Sequence, residues 1–130
     1  MADRFEFLAF LRGYTTAALW SSSDEHGGPL DAVFSADDIS PACMLAMNGD
    51  CQDFCKANMP DLLEYCQKMK NEQCPGEELA GHDFWLTRNG HGAGFWDRGL
   101  GELGKRLSDS AKVYGSVDLY AGDDGFIYGV

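Results

Sequence analysis

His82-Asp83-Phe84-Trp85-Leu86-Thr87-Arg88-Asn89-Gly90-His91-Gly92-Ala93-Gly94-Phe95-Trp96-Asp97-Arg98 is the stretch on which the fold turns. It holds two short aromatic runs, Phe84-Trp85-Leu86 and Phe95-Trp96, on either side of Asn89-Gly90 and further glycines. Asn-Gly between two such runs is the strongest short-range signal for a β-hairpin. The spacing therefore predicts a hairpin over 83–98, with Arg88 facing Asp97 or a neighbour as a cross-strand ion pair.

Downstream, Leu100, Leu103, Leu107, Ala111 and Tyr114 recur at helical spacing, and Gly115 is placed to end that helix. Val117-Asp118-Leu119-Tyr120 and Phe126-Ile127-Tyr128 then flank Asp123-Asp124-Gly125, a second hairpin signal. Upstream, Phe7, Phe10, Leu11, Tyr14 and Ala18 form an apolar stripe on an N-terminal helix. Ser21 to Pro29 reads as an exposed loop. Ser40-Pro41 starts another helix, with Ser as N-cap and Pro at the first helical position. Asn48-Gly49 is expected to interrupt it, and Asn58-Met59-Pro60 to break and restart the chain. Cys74-Pro75-Gly76 ends the next apolar face.

The predicted order is ααα-ββ-α-ββ. N-terminal helices pack with a small antiparallel sheet made of two hairpins and an intervening helix, an α+β fold. One domain is expected over 1–130, with an acidic, mainly helical part at 1–80 and a glycine-rich part at 81–130; eleven of the 16 glycines lie at or beyond residue 81. The first residues, Met1-Ala2-Asp3-Arg4, hold an acid and lead into no long apolar run, so no signal peptide is expected, nor a membrane-spanning helix. The odd number of cysteines, five, is read as reduced thiols in a cytoplasmic protein. Their spacing lacks the close thiolate pairs of a zinc site, so no metal or cofactor is expected.

The net charge is −11, and it is uneven: residues 1–80 hold 14 acidic and 5 basic side chains, residues 81–130 hold 7 and 5. A field of that sign repels nucleic acid and anionic membranes and attracts basic protein surfaces. Asp50 with Asp53, and Asp61 with Glu64, are i, i+3 pairs on helical faces, and Asp37-Asp38, Glu72 and Glu77-Glu78 sit near segment ends. Such an array imitates one side of a nucleic-acid duplex; a solvated face is the plainer reading of the same residues.

Other chemistry is sparser. His82, Asp83, His91 and Asp97 supply acid–base or ligand groups for a small metal-dependent enzyme. Gly90-His91-Gly92-Ala93-Gly94 lacks the context of a phosphate loop, and Asp123-Asp124-Gly125 is too short for a calcium loop.

Asp83 through Asp97, the Gly99-Leu100-Gly101 start of the next helix and the Val117–Tyr128 ending resemble a family of small tailed-phage proteins to which no activity is attached. The resemblance covers about residues 81–128 and implies a phage or prophage origin. By analogy of size and charge with anti-CRISPR proteins, the chain is expected to be a monomeric inhibitor in the host cytoplasm. It would act as an acidic DNA mimic on the basic DNA-binding surface of a CRISPR surveillance complex. Asp50, Asp53, Asp61, Glu64, Glu77 and Glu78 are the expected contacts, with Asp37, Asp38 and Glu72 next. A small enzyme using the His and Asp residues above, or a structural or interaction module of the phage, are the alternatives.

Overall fold

The computed structural model describes residues 5–23 and 27–129. Five helices carry the chain: α1 (Phe7–Ser21), α2 (Pro41–Ala57), α3 (Met59–Met69), α4 (Gly76–Arg88) and α5 (Glu102–Lys112). A two-stranded antiparallel sheet, β1 (Leu119–Ala121) with β2 (Ile127–Gly129), closes it. Short 3₁₀ turns lie at Leu30–Ala32, Ala36–Asp38 and Phe95–Asp97. No helix among the described residues is long and apolar enough to cross a membrane.

The fold is α+β in outline, but the first predicted hairpin is not there. The 83–98 stretch is the end of a helix and the turn that follows it. Phe84, Trp85 and Leu86 are consecutive and all buried because α4 is covered on every side. A helix apolar all round is a buried helix. Three apolar neighbours alone do not separate that case from a strand. The helix begins seven residues earlier, at Gly76, with Glu77 and Glu78 in its first turn and Arg88 in its last, as the macrodipole favours.

Asn89-Gly90 is a helix cap rather than a hairpin turn. The Gly90 N–H donates to Thr87 O at 3.2 Å and the His91 N–H to Leu86 O at 3.0 Å, with Gly90 at φ +71°. That pair of bonds is the Schellman motif, which needs a left-handed residue just past the helix. From there the chain doubles back along α4. Thr87 Oγ1 accepts the Phe95 N–H at 3.1 Å, and Arg98 grips Asp83 through Nε at 2.9 Å and Nη2 at 2.7 Å. Phe95 is buried against Phe54 and Tyr65. The ion pair foreseen for Arg88 with Asp97 is replaced by Asp83–Arg98, and Arg88 turns into the core. The predicted four-stranded sheet is therefore two-stranded, and the Gly-rich part is mainly helix and turn.

The rest follows the sequence more closely. Ser40 Oγ accepts the Cys43 N–H at 3.1 Å and Pro41 opens α2 as predicted. Gly49 does not interrupt α2; its position is exposed, and the helix runs through to Ala57. Gly115, at φ +74°, follows the end of α5. The second hairpin forms with a turn at 122–126, where Gly125 (φ +87°) donates to Gly122 O at 3.1 Å. Of the predicted Ser21–Pro29 loop, Asp24, Glu25 and His26 lie outside the described residues, as do Met1 to Arg4.

α1 lies against α4 at backbone contact. A Cβ added at Gly13 would stand 1.9 Å from Glu78 O, and one at Gly81 would stand 1.9 Å from Phe10 O. This closeness brings Tyr14 to 5.3 Å, ring to ring, from both Phe84 and Trp85, and Phe84 stacks on Phe54 of α2 at 4.1 Å. The core is thus a run of aromatic rings shared by α1, α2 and α4.

Candidate functional site

Two features of this body carry chemistry: a buried polar network along α4, and an acidic, aromatic end formed by the C-terminal hairpin.

The network starts at Asp83, which is fully buried. It accepts a 2.5 Å hydrogen bond from Tyr65 Oη besides the two from Arg98. Burial pushes its carboxyl up, but the neighbouring His82, Arg98 and Tyr65 outweigh burial and hold it below the ordinary carboxylate range. His82 Nδ1 is 3.9 Å away, beyond hydrogen-bond reach, and its ring packs over Trp20 at 5.5 Å. One turn on, Arg88 donates to Gly115 O, Tyr114 O, Tyr14 Oη and Asp50 Oδ2, all between 2.8 and 3.0 Å. Its guanidinium also lies 5.6 Å from the ring centres of Phe84 and Tyr114.

The proposed enzyme groups do not converge. Asp83 is consumed by Arg98 and Tyr65. Asp97 is exposed in the 3₁₀ turn after α4. His91 lines a polar cleft of about 390 Å³ with Ser22, Asn89, Ser116 and Asp118. Among the described residues no group of three His, Cys, Asp or Glu could hold a metal ion, and the five cysteines are free thiols.

The nine carboxylates named from the sequence are scattered, and most are already engaged. Asp50 turns toward Arg88. Asp53 accepts Tyr114 Oη at 2.6 Å. Asp61 takes Arg106 through both oxygens at 3.1 Å, and Glu64 lies 3.7 Å from Lys68. Glu77 accepts the Glu6 N–H at 3.1 Å, and Glu78 pairs with Arg12 at 2.6 Å. Asp38 accepts the Ser35 N–H at 2.9 Å. Asp37 and Glu72 are exposed, and neither side chain has a partner among the described residues. The α3–α5 side therefore carries mixed charge rather than an acidic field.

Uncompensated charge gathers elsewhere. Residues 27–40 contain Asp31, Asp37 and Asp38 with no lysine or arginine; residues 113–130 contain Asp118, Asp123 and Asp124, again with none. The two segments meet where Ile39 runs parallel to Ile127 and the Ser40 N–H donates to Ile127 O at 2.8 Å. Asp37 and Asp38 lie in the 3₁₀ turn immediately before that contact. Leu119 and Ile127 point inward, which leaves Tyr120 and Tyr128, directly paired and stacked at 5.8 Å, on the outer face. Tyr120 and Phe126 are 47% and 42% exposed. Asp124 accepts the Tyr128 O–H and the Phe126 N–H, bonds that hold its carboxyl below the usual range and pin the turn.

Sequence reasoning noticed Asp123-Asp124-Gly125 only as a turn. The available signal was the absence of any cation from both segments. Their meeting is a tertiary fact. No protein-family model, no curated protein and no solved structure matches the chain.

Proposed function

We propose that the protein works by binding, through the hairpin end, to a basic surface of a partner that ordinarily holds nucleic acid. In the reading drawn from the phage resemblance, that partner is a host CRISPR surveillance complex, and the protein inhibits it by standing in for target DNA. The observation that supports this is the company of carboxylates and exposed aromatics: Asp123 and Asp124 lie in the turn between Tyr120 and Phe126, and the segment carrying Asp37 and Asp38 joins this hairpin at Ile39–Ile127, with no cation in either segment. Carboxylates meet the lysines and arginines that would otherwise hold phosphates, while aromatic faces receive arginine as bases do. The contact set is thereby moved from the α2–α4 carboxylates toward the hairpin end.

The test is binding of the purified protein to guide-RNA surveillance complexes, with and without target duplex, at two salt concentrations. Displacement by target and weakening by salt are expected. Asp37→Lys, Asp118→Lys and Asp123→Lys together remove no internal hydrogen bond or ion pair among the described residues. That triple variant should abolish binding with an unchanged melting temperature, whereas Glu64→Lys with Glu72→Lys should bind as before. Equal binding by the triple variant would move the contact back to the helices, and no binding by the unaltered protein would remove the reading.

A further inference from the structure

A cavity of about 260 Å³ lies between α2 and the C-terminal hairpin, with Tyr128 in its wall. Its walls include Ala42, Ala46 and Met47 of α2 and Val117 ahead of β1; Tyr14, Ser40, Asp50 and Tyr128 bring polar groups, with the Ser40 hydroxyl accepting the Cys43 N–H and the Tyr128 hydroxyl donating to Asp124. An apolar cavity of about 150 Å³ is already large enough to hold benzene. The polar end has a defined sign. Arg88 is not in the wall; it bonds Tyr14, Asp50 and the carbonyls of residues 114 and 115, and its side chain is only 3% exposed. The Asp50 side chain is 41% exposed, and only its Oδ2 is engaged among the described residues. The cavity thus shows a bound ligand one carboxylate oxygen at the edge of a hydrocarbon space. No lysine or arginine lines it.

We propose that this cavity is a binding site for a small apolar primary amine, its ammonium received by the free oxygen of Asp50 and its hydrocarbon body seated between Ala46, Met47 and Val117. A neutral guest of the same shape would fill the walls but leave the carboxylate unmatched, and an acid would meet repulsion from it. The net charge of −11 favours entry of a cation. The site does not depend on the partner proposed above, so either can fail alone.

The experiment titrates methyl-labelled protein with benzylamine, benzyl alcohol and toluene at neutral pH and follows the methyl resonances of Ala42, Ala46, Met47 and Val117. Saturable shifts confined to these methyls are expected, with benzylamine about tenfold tighter than benzyl alcohol. Asp50→Asn keeps an acceptor for Arg88 and should erase that preference. Ala46→Trp, at an exposed helical position on the rim, should block all three probes without unfolding the protein. Absence of saturable shifts at these methyls overturns the proposal. So does benzylamine binding no tighter than benzyl alcohol, or a preference that survives Asp50→Asn.

Discussion

Replacing Gly81 by alanine sets two effects of opposite sign against each other. Alanine in a helix interior is favoured over glycine by about 1 kcal/mol. Against that, the new methyl would sit 1.9 Å from the Phe10 carbonyl oxygen, with Phe10 C at 2.8 Å and the Tyr14 nitrogen at 3.0 Å. All three are helix backbone, so no side chain can swing aside. Ordinary contact lies near about 3.5 Å, and α1 and α4 must part by about 1.5 Å to reach it. Parting loosens the ring contacts of Tyr14 with Phe84 and Trp85 and the 3.0 Å bond from Arg88 to Tyr14 Oη. Overpacking of this kind costs about 1–3 kcal/mol and a weakened buried hydrogen bond about 1 kcal/mol more. The net is a destabilisation of about 1–3 kcal/mol, read as a fall of roughly 1–2 M in the urea midpoint. Trp85, buried in this contact, reports the transition by fluorescence. Gly49→Ala is the control: it is helical, exposed and has nothing within 4 Å of its added Cβ. It should gain about 0.5–1 kcal/mol. If Gly81→Ala behaves like Gly49→Ala, the backbone contact between the helices is wrong.

Gly13→Ala, which meets Glu78 O at the same distance, should destabilise to a similar degree, by the same urea titration. Asp83 makes stability fall in acid: its folded carboxyl is held below the ordinary value, so its contribution is present above the unfolded pKa of about 4 and is lost as pH drops through the lower folded value. Asp83→Asn should remove that part of the pH slope and cost about 3–5 kcal/mol at neutral pH by stranding Arg98, which chemical denaturation at several pH values will measure. Cys55 and Cys66, each pushed up to about 12, first by burial, stay protonated at pH 8, as does fully buried Cys51. An aromatic disulfide reagent should therefore reach these three only after urea is added, whereas five fast thiols in the native protein would contradict the packing of α2.

How much of this was legible in the chain depended on whether a signal was local. Ser40-Pro41 and Gly115 work through their own backbone neighbours, and both landed where read. Asn89-Gly90 is local too, but it serves two geometries. Left-handed glycine suits a hairpin turn and a Schellman cap equally, and the choice was made upstream, by where the helix began. Phe84-Trp85-Leu86 lost its helical period because α1, α2, α3 and α5 surround α4, and no window of sequence reveals how many neighbours an element will have. Asp50 looked like surface charge from its i, i+3 partner Asp53; Arg88, 38 residues on, draws it inward. The acidic end was hidden for the same reason, since the segments that carry Asp37 and Asp123 are joined only through the Ile39–Ile127 contact.

Arg88 has one more consequence. Its single guanidinium touches α1 through Tyr14, α2 through Asp50 and the chain after α5 through two carbonyls. A segment so tethered has no private route to opening. The 114–115 turn cannot let go without stranding a buried cation, and the hairpin hangs directly from that turn. Amide protons of residues 115–129 should then exchange only as fast as the helical body itself comes apart, making this segment a clasp whose release and global unfolding are one event.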